Sequence, residues 1–261
     1  MLRKLHSLKS FEVHGRDAKL GKVDDFYFDQ SQFVVRYLVL DTGNWLKQEE
    51  TLISTHAIDN IDYDSKKIMV ELTKDQLEDS PSIKKNEPIS KVKEQEIIDY
   101  FGWPDYWEKS HSSDSELIHA GISERKKLLD FKVLEKEKEA QEKAEIAKTN
   151  LRSVEEVRGY KIHAKDENFG HIEDFFIEEE DSWIIRYILV DTGKKIEGKK
   201  SVLISPDWIH SISWHGKEIF VDKDKDQIAS APKYEEEKSK NVLPKSYEEM
   251  LYDHYDEDKY W

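Results

Sequence analysis

The sequence predicts an all-β fold: two small β-barrels in tandem, each followed by a short helical and aromatic tail, joined by a charged helical linker. Three observations predict it. The most hydrophobic run in a polar chain, FVVRYLVLDTG at residues 33–43, returns as WIIRYILVDTG at 183–193. Other identical residues recur across the chain at nearly the same spacing, the mark of an internal duplication. Each copy breaks into short apolar runs bounded by turn residues, a pattern of strands rather than helices. The implied divisions are repeat 1 at 1–81, tail 1 at 82–107, linker at 108–150, repeat 2 at 151–232 and tail 2 at 233–261.

The duplication sets the frame for every element. His14 and His163, Asp17 and Asp166, Gly21 and Gly170, and Asp25 and Asp174 lie 149 residues apart. Arg36 and Arg186 lie 150 apart, as do the two Asp-Thr-Gly turns. Ser54 and Ser205, Ile68 and Ile219, Gln76 and Gln227, and Pro81 and Pro232 lie 151 apart. Each one-residue drift falls where a turn is expected.

In order, repeat 1 predicts strands near 11–14, 23–28, 33–40, 51–53, 57–61 and 67–72, and repeat 2 repeats the series. His215 and Gly216 predict a tight hairpin turn that uses positive φ. The patterns TKDQ at 73–76 and DKDQ at 224–227 are capping boxes that start a helical turn ahead of each proline. Many short strands in series argue for a small closed or nearly closed barrel, which also removes exposed sheet edges.

Each repeat is followed by a helix-like segment, near 94–100 and near 247–252, that runs into aromatic residues. Trp103, Tyr106 and Trp107 end the first tail; Tyr255, Tyr260 and Trp261 end the second. Two readings stand: each tail folds back on a barrel, or the six aromatics form a partner-binding patch. Residues 123–149, nearly all Glu, Lys, Ala and Leu, predict a solvated spacer helix whose apolar stripe is too thin for a heptad seam. A flexible joint is expected ahead of it at 111–115.

Composition narrows the function. A formal charge of −15 argues against direct nucleic-acid binding, which needs clustered Lys and Arg. With no cysteine there is no disulfide framework and no thiol nucleophile. No run is long and apolar enough for a signal peptide or membrane span, so an acidic, soluble, cytoplasmic protein is expected.

The residues that repeat resemble the PRC-barrel family, named after the cytoplasmic domain of the photosynthetic reaction centre H subunit. The carriers are Gly21, Val23, Asp25 and Phe26 leading to RYLVLDT at 36–42 and Leu52-Ile53-Ser54, with Gly170, Ile172, Asp174, Phe175, RYILVDT at 186–192 and Leu203-Ile204-Ser205 in the second copy. The resemblance covers roughly 5–81 and 152–232. It implies a curved barrel in each half and a non-catalytic module that binds or scaffolds a protein partner, with a regulatory or stress-related role. Ribosome maturation factors, which bind a ribosomal protein, and the H subunit, which serves an electron-transfer complex, supply the alternative roles. Self-association is compatible with either.

Candidate sites follow from the repeated strand. Arg36 and Arg186 interrupt an apolar strand face, so each needs a partner if buried. Asp24 or Asp25, and Glu173 or Asp174, are the expected carboxylates. Such a pair either pins the barrel or leaves an anion-binding arginine at its mouth. Asp41-Thr42-Gly43 and Asp191-Thr192-Gly193 read as strand-ending turns in which Asp caps backbone N–H groups and Gly takes positive φ. The signature set is thus Asp25, Arg36, Asp41, Gly43, Asp174, Arg186, Asp191 and Gly193. No catalytic, cofactor-binding or metal residue is assigned, and the protein is expected not to be an enzyme. His254, among Asp253, Asp256 and Asp258, lacks the ligand order of a calcium loop.

Overall fold

The computed structural model describes residues 1–43, 45–46, 51–81, 83, 89–106, 150–165, 167–180, 182–193, 201–234 and 241–261. The expected linker at 108–150 lies outside them except for Asn150, as do Trp107 and the joint at 111–115. Strands dominate the described chain, with a few short helices. No helix among the described residues is long and apolar enough to cross a membrane.

Two compact units emerge. One holds residues 8–106 and 150–155; the other holds Met1–Ser7 and Glu156–Trp261. The chain starts with a short strand, β1 (Leu2–Lys4), that belongs to the second of these.

The first unit contains β2 (Glu12–His14), β3 (Lys19–Asp29), β4 (Val34–Asp41), β5 (Thr51–Ser54), β6 (Ile58–Asp62) and β7 (Lys67–Val70). Its strand order is β5-β4-β3-β2-β7-β6, antiparallel throughout except for the parallel pair β2–β7. Helices α1 (Lys74–Glu78) and α2 (Lys91–Phe101) follow. Thr73 caps α1 through the expected capping box, with Gln76 Oε1 accepting the Thr73 N–H at 2.9 Å. The strand β8 (Leu151–Ser153) then pairs with the far end of β3.

A helical turn, α3 (Val154–Val157), leads into the second unit. There β9 (Lys161–His163), β10 (Asn168–Glu178), β11 (Ile184–Asp191), β12 (Ser201–Ile204), β13 (Ile209–Ser213) and β14 (Glu218–Val221) repeat the same order, β12-β11-β10-β9-β14-β13. Helix α4 (Lys225–Ser230), the short strand β15 (Val242–Leu243) and helix α5 (Lys245–Tyr255) complete it.

Two details explain why the repeated residues are what they are. In their pairing with β4 and β11, the long strands β3 and β10 each carry two irregularities, between Val23 and Asp25 and between Tyr27 and Phe28, and at Ile172/Asp174 and Phe176/Ile177. Such bulges bend a strand, which lets one end serve β2 or β9 and the other serve a different neighbour. Gly21 and Gly170 each face the Asp-Thr-Gly turn so closely that a Cβ would stand 2.5 Å from the carbonyl oxygen of Asp41 or Asp191. Glycine is therefore needed there for space.

Three expectations need correction. The aromatics that open the signature run precede the strands: Phe33 and Trp183 both sit at φ 54°, in the left-handed region. That conformation costs roughly 1–2 kcal/mol for a side-chain-bearing residue, and burial of both rings, with Phe33 against Phe28 at 5.8 Å, offsets it. In the β13–β14 turn it is Lys217, not Gly216, that takes positive φ; a Cβ on Gly216 would stand 2.6 Å from Ser213 Oγ, so that hydroxyl would have to move. Finally, the units do not follow the repeat boundaries at 1–81 and 151–232. β1, from repeat 1, pairs with β10 and β15, while β8, from repeat 2, pairs with β3. Leu151 accordingly lies in the first unit's core with Tyr37, Val39, Leu52, Ile83, Ile89 and Ile97.

Candidate functional site

In the first unit Ser90 caps α2, its Oγ accepting the Lys93 N–H at 3.2 Å. One turn in, Glu94 is 2% exposed. Helix α2 ends at Gly102 in the left-handed region (φ 68°), and the chain beyond turns back toward the helix. The return places Tyr106 beside Glu94. Oε1 of Glu94 accepts two hydrogen bonds, from Tyr37 Oη at 3.0 Å and from Tyr106 Oη at 2.8 Å. Arg36 stacks its guanidinium 4.0 Å over the Tyr106 ring and donates to Gln32 Oε1. Trp103 stacks on Phe101 at 4.3 Å and tilts toward Tyr37 at 6.3 Å.

The second unit builds the same latch. Glu248, one turn into α5 and 3% exposed, accepts from Tyr187 Oη at 3.0 Å and Tyr260 Oη at 2.7 Å. Arg186 lies 4.3 Å over the Tyr260 ring. Helix α5 ends on Asp256 at φ 52°. Both tails thus fold onto strands of their own repeat, and in both the tyrosine of the Arg-Tyr pair and a tail tyrosine share one helix carboxylate.

The electrostatics of the two latches differ. Arg186 pairs with Glu178, at 2.9 Å from Nε and 2.6 Å from Nη2. The equivalent of Glu178 is Asp29, whose shorter side chain is occupied by the Ser31 N–H at 2.7 Å, the Ser31 hydroxyl and the Gln32 N–H at 3.3 Å. Arg36 turns to neutral Gln32 instead, and its buried Nε makes no hydrogen bond among the described residues. Lys245 Nζ lies 3.7 Å from Glu248. Burial pushes Glu94 up to about 7, against the pull of its two tyrosine hydrogen bonds and with Asp29 adding to the rise. Burial likewise holds the hydroxyls of Tyr37, Tyr106, Tyr187 and Tyr260 above the usual tyrosine range, so all four act as donors.

The expected arginine partners are therefore wrong. Asp25 and Asp174 hold the exchanged strands. Asp25 accepts the Glu155 N–H at 3.1 Å and the Ser153 hydroxyl, and Asp174 accepts the His6 N–H at 3.2 Å with Lys4 Nζ 3.9 Å away. Residues 153 and 155 stand 149 positions after 4 and 6. Burial pushes Asp174 up to about 6 and raises Asp25. Asp41 and Asp191 do cap their turns, accepting the Gly43 and Gly193 N–H at 2.9 and 2.8 Å, with both glycines at positive φ.

Residues 2–77 match the family model of the PRC-barrel domain. Over that span the chain is similar to a PRC-barrel domain. No curated protein matches the chain. Within the PRC-barrel match lie Asp25, Arg36, Asp41 and Gly43, so the first latch joins a PRC-barrel strand to a tail outside the matched span.

The tail aromatics sort by burial. Tyr255 is 4% exposed and packs 4.5 Å from Trp208, so it belongs to the unit's own packing and not to a partner surface. Trp103 and Tyr106 are half-buried in the first latch. Tyr260 and Trp261 are 36% and 46% exposed and meet edge to face at 4.9 Å. His254 Nε2 lies 2.7 Å from the Gln227 carbonyl, and Asp253 pairs with Lys259 at 3.0 Å. Sequence reasoning passed over Glu94 and Glu248. Their signal is a spacing: each precedes its tail tyrosine by 12 residues, and the two tails lie 154 apart.

Proposed function

We propose that this is a non-catalytic cytoplasmic protein with two PRC-type barrels that binds a protein partner through the aromatic end of its second tail. The family match reaches only the first repeat; the second is read as a like barrel because it repeats the strand order and the bulge positions. The observation that carries the binding role is the pair Tyr260 and Trp261, with Lys245 Nζ 3.1 Å over the Trp261 ring. Tyr260 is anchored by Glu248, so Trp261 is presented from a fixed base instead of a loose strand. A rigid, half-exposed aromatic beside a cation is the kind of side chain that dominates protein interfaces. The Arg-Tyr pair, Asp-Thr-Gly turns and motif aspartates support a non-catalytic reading, since each is engaged in bonds that hold the fold.

The test is affinity capture from the native cytosol with the intact chain and with Trp261→Ala. The expected result is a discrete partner held by the intact chain and lost by a variant whose thermal melt is unchanged. Equal capture by both chains would refute the assignment to this patch, and capture of nothing by the intact chain would refute the binding role.

A further inference from the structure

The exchange of first strands leaves each repeat dependent on a strand from elsewhere, and the two receiving slots are built alike. β1 lies on β10 with Leu2 opposite Glu178, Arg3 opposite Ile177 and Lys4 opposite Phe176. β8 lies on β3 with Leu151 opposite Asp29, Arg152 opposite Phe28 and Ser153 opposite Tyr27. Every pair in one register maps onto the other at the 149-residue spacing. Each slot buries the leading leucine, Leu2 or Leu151, and a second apolar residue three places on, Leu5 or Val154. An arginine is read by the same position in both slots: Arg3 Nε meets Glu179 at 3.0 Å, and Arg152 Nε donates to Gln30 Oε1 at 2.8 Å. Asp174 and Asp25 complete the slots by accepting the backbone N–H of His6 and Glu155. The β10 slot is the more enclosed, because β15 pairs with the other edge of β1 and Lys4 N–H donates to the Asn241 carbonyl at 2.8 Å.

Nothing in these contacts depends on the incoming strand belonging to the same chain. We propose that the β10 slot is a docking site for residues 1–7 of a second copy of this chain, giving a strand-exchanged dimer. Covalent connection supplies the strand at high effective concentration and so favours exchange within one molecule; raising the protein concentration shifts the balance toward exchange between molecules. This inference rests on the ladder and its aspartate anchor and is independent of the aromatic tail.

The test uses a chain lacking residues 1–7 and a fluorescent peptide of residues 1–9, MLRKLHSLK. The expected result is saturable binding to the shortened chain, restored hydrogen-exchange protection in β10, at least tenfold weaker binding after Arg3→Ala in the peptide, and no binding to the intact chain, whose slot is filled. A folded shortened chain that ignores the peptide, or an intact chain that binds it equally, would overturn the proposal. Should the shortened chain not fold, the intact chain is refolded at micromolar and at near-millimolar concentration and its mass measured by light scattering. A dimer that grows with refolding concentration and decays slowly on dilution is expected; a monomer under both conditions would overturn it.

Discussion

Replacing Glu94 by Gln should stabilise the first unit at neutral pH, an unusual outcome for removal of a charged hydrogen-bond acceptor. Glu94 is 2% exposed, and its folded-state value rises from 4.5 to about 7. Below about pH 4.5 the carboxyl is protonated in both folded and unfolded chains, and its contribution is fully present. As pH rises toward 7 the unfolded chain releases the proton while the folded one retains it, so stability is lost through that window. That rise from 4.5 to about 7 corresponds to roughly 3 kcal/mol. Gln keeps one oxygen for Tyr37 and Tyr106 and carries no charge to desolvate. Urea denaturation between about pH 4.5 and about pH 8, with hydrogen exchange in β4 to assign the unit, should show the two proteins alike at the acid end. At the alkaline end the variant should lead by roughly 2–3 kcal/mol. Asp25 is also raised by burial and adds its own slope to both proteins, so the difference between them isolates Glu94. A difference that is flat with pH, or that favours the wild type as pH rises, would refute the reasoning.

Tyr37→Phe removes one of the two donors that favour the Glu94 carboxylate, so carboxyl NMR should place the titration above about 7; an unchanged or lower value contradicts the latch. Gly170→Ala would bring a Cβ to 2.5 Å from the Asp191 carbonyl oxygen and 2.8 Å from Val190 Cγ1, and thermal denaturation should register a loss of about 2 kcal/mol or more. Arg186→Met breaks a partly exposed ion pair with Glu178 and the stacking on Tyr260, for about 1 kcal/mol in all, seen as faster hydrogen exchange across α5 with β12 unchanged. Asp25→Ala strips the acceptor from the Phe26 and Glu155 N–H groups, each worth about 1–3 kcal/mol when left buried and unpaired, and should release residues 150–155 as well as β3. Loss of protection confined to β3 would contradict the anchoring role.

The six strand signals in each repeat were legible because alternation and turn residues bracket them, and the capping boxes at Thr73 and Asp224 because one hydrogen-bond pattern needs two residue types at one spacing. The Asp-Thr-Gly turns were legible for the same reason. Strands of three residues such as β1 and β8 show no period, and nothing local marks them. The exchange was hidden more deeply. Because Leu2-Arg3 and Leu151-Arg152 match at the repeat spacing, the residue pattern is equally satisfied by a strand on its own repeat or on the other. The partners of Arg36 and Arg186 were misassigned because bulges at Asp24 and Glu173 re-aim the aspartates that follow, an effect that simple alternation along the strand does not contain.

These findings give the repeated motif a division of labour. Gly21 and Gly170 let the bent strand approach the Asp-Thr-Gly turn, Asp25 and Asp174 secure a strand supplied by the other repeat, and the Arg-Tyr pair secures the repeat's own tail. Each unit is thereby closed by one segment from its own repeat and one from its sibling. Loss of the tail latch should then act within one unit, whereas loss of a motif aspartate should free a strand whose continuation builds the other. Duplication has made the two units mutually dependent at the first strand while leaving their tails separately tunable, and the substitution of Asp29 and Gln32 for a glutamate at the Arg36 pairing site shows that tuning in the sequence itself.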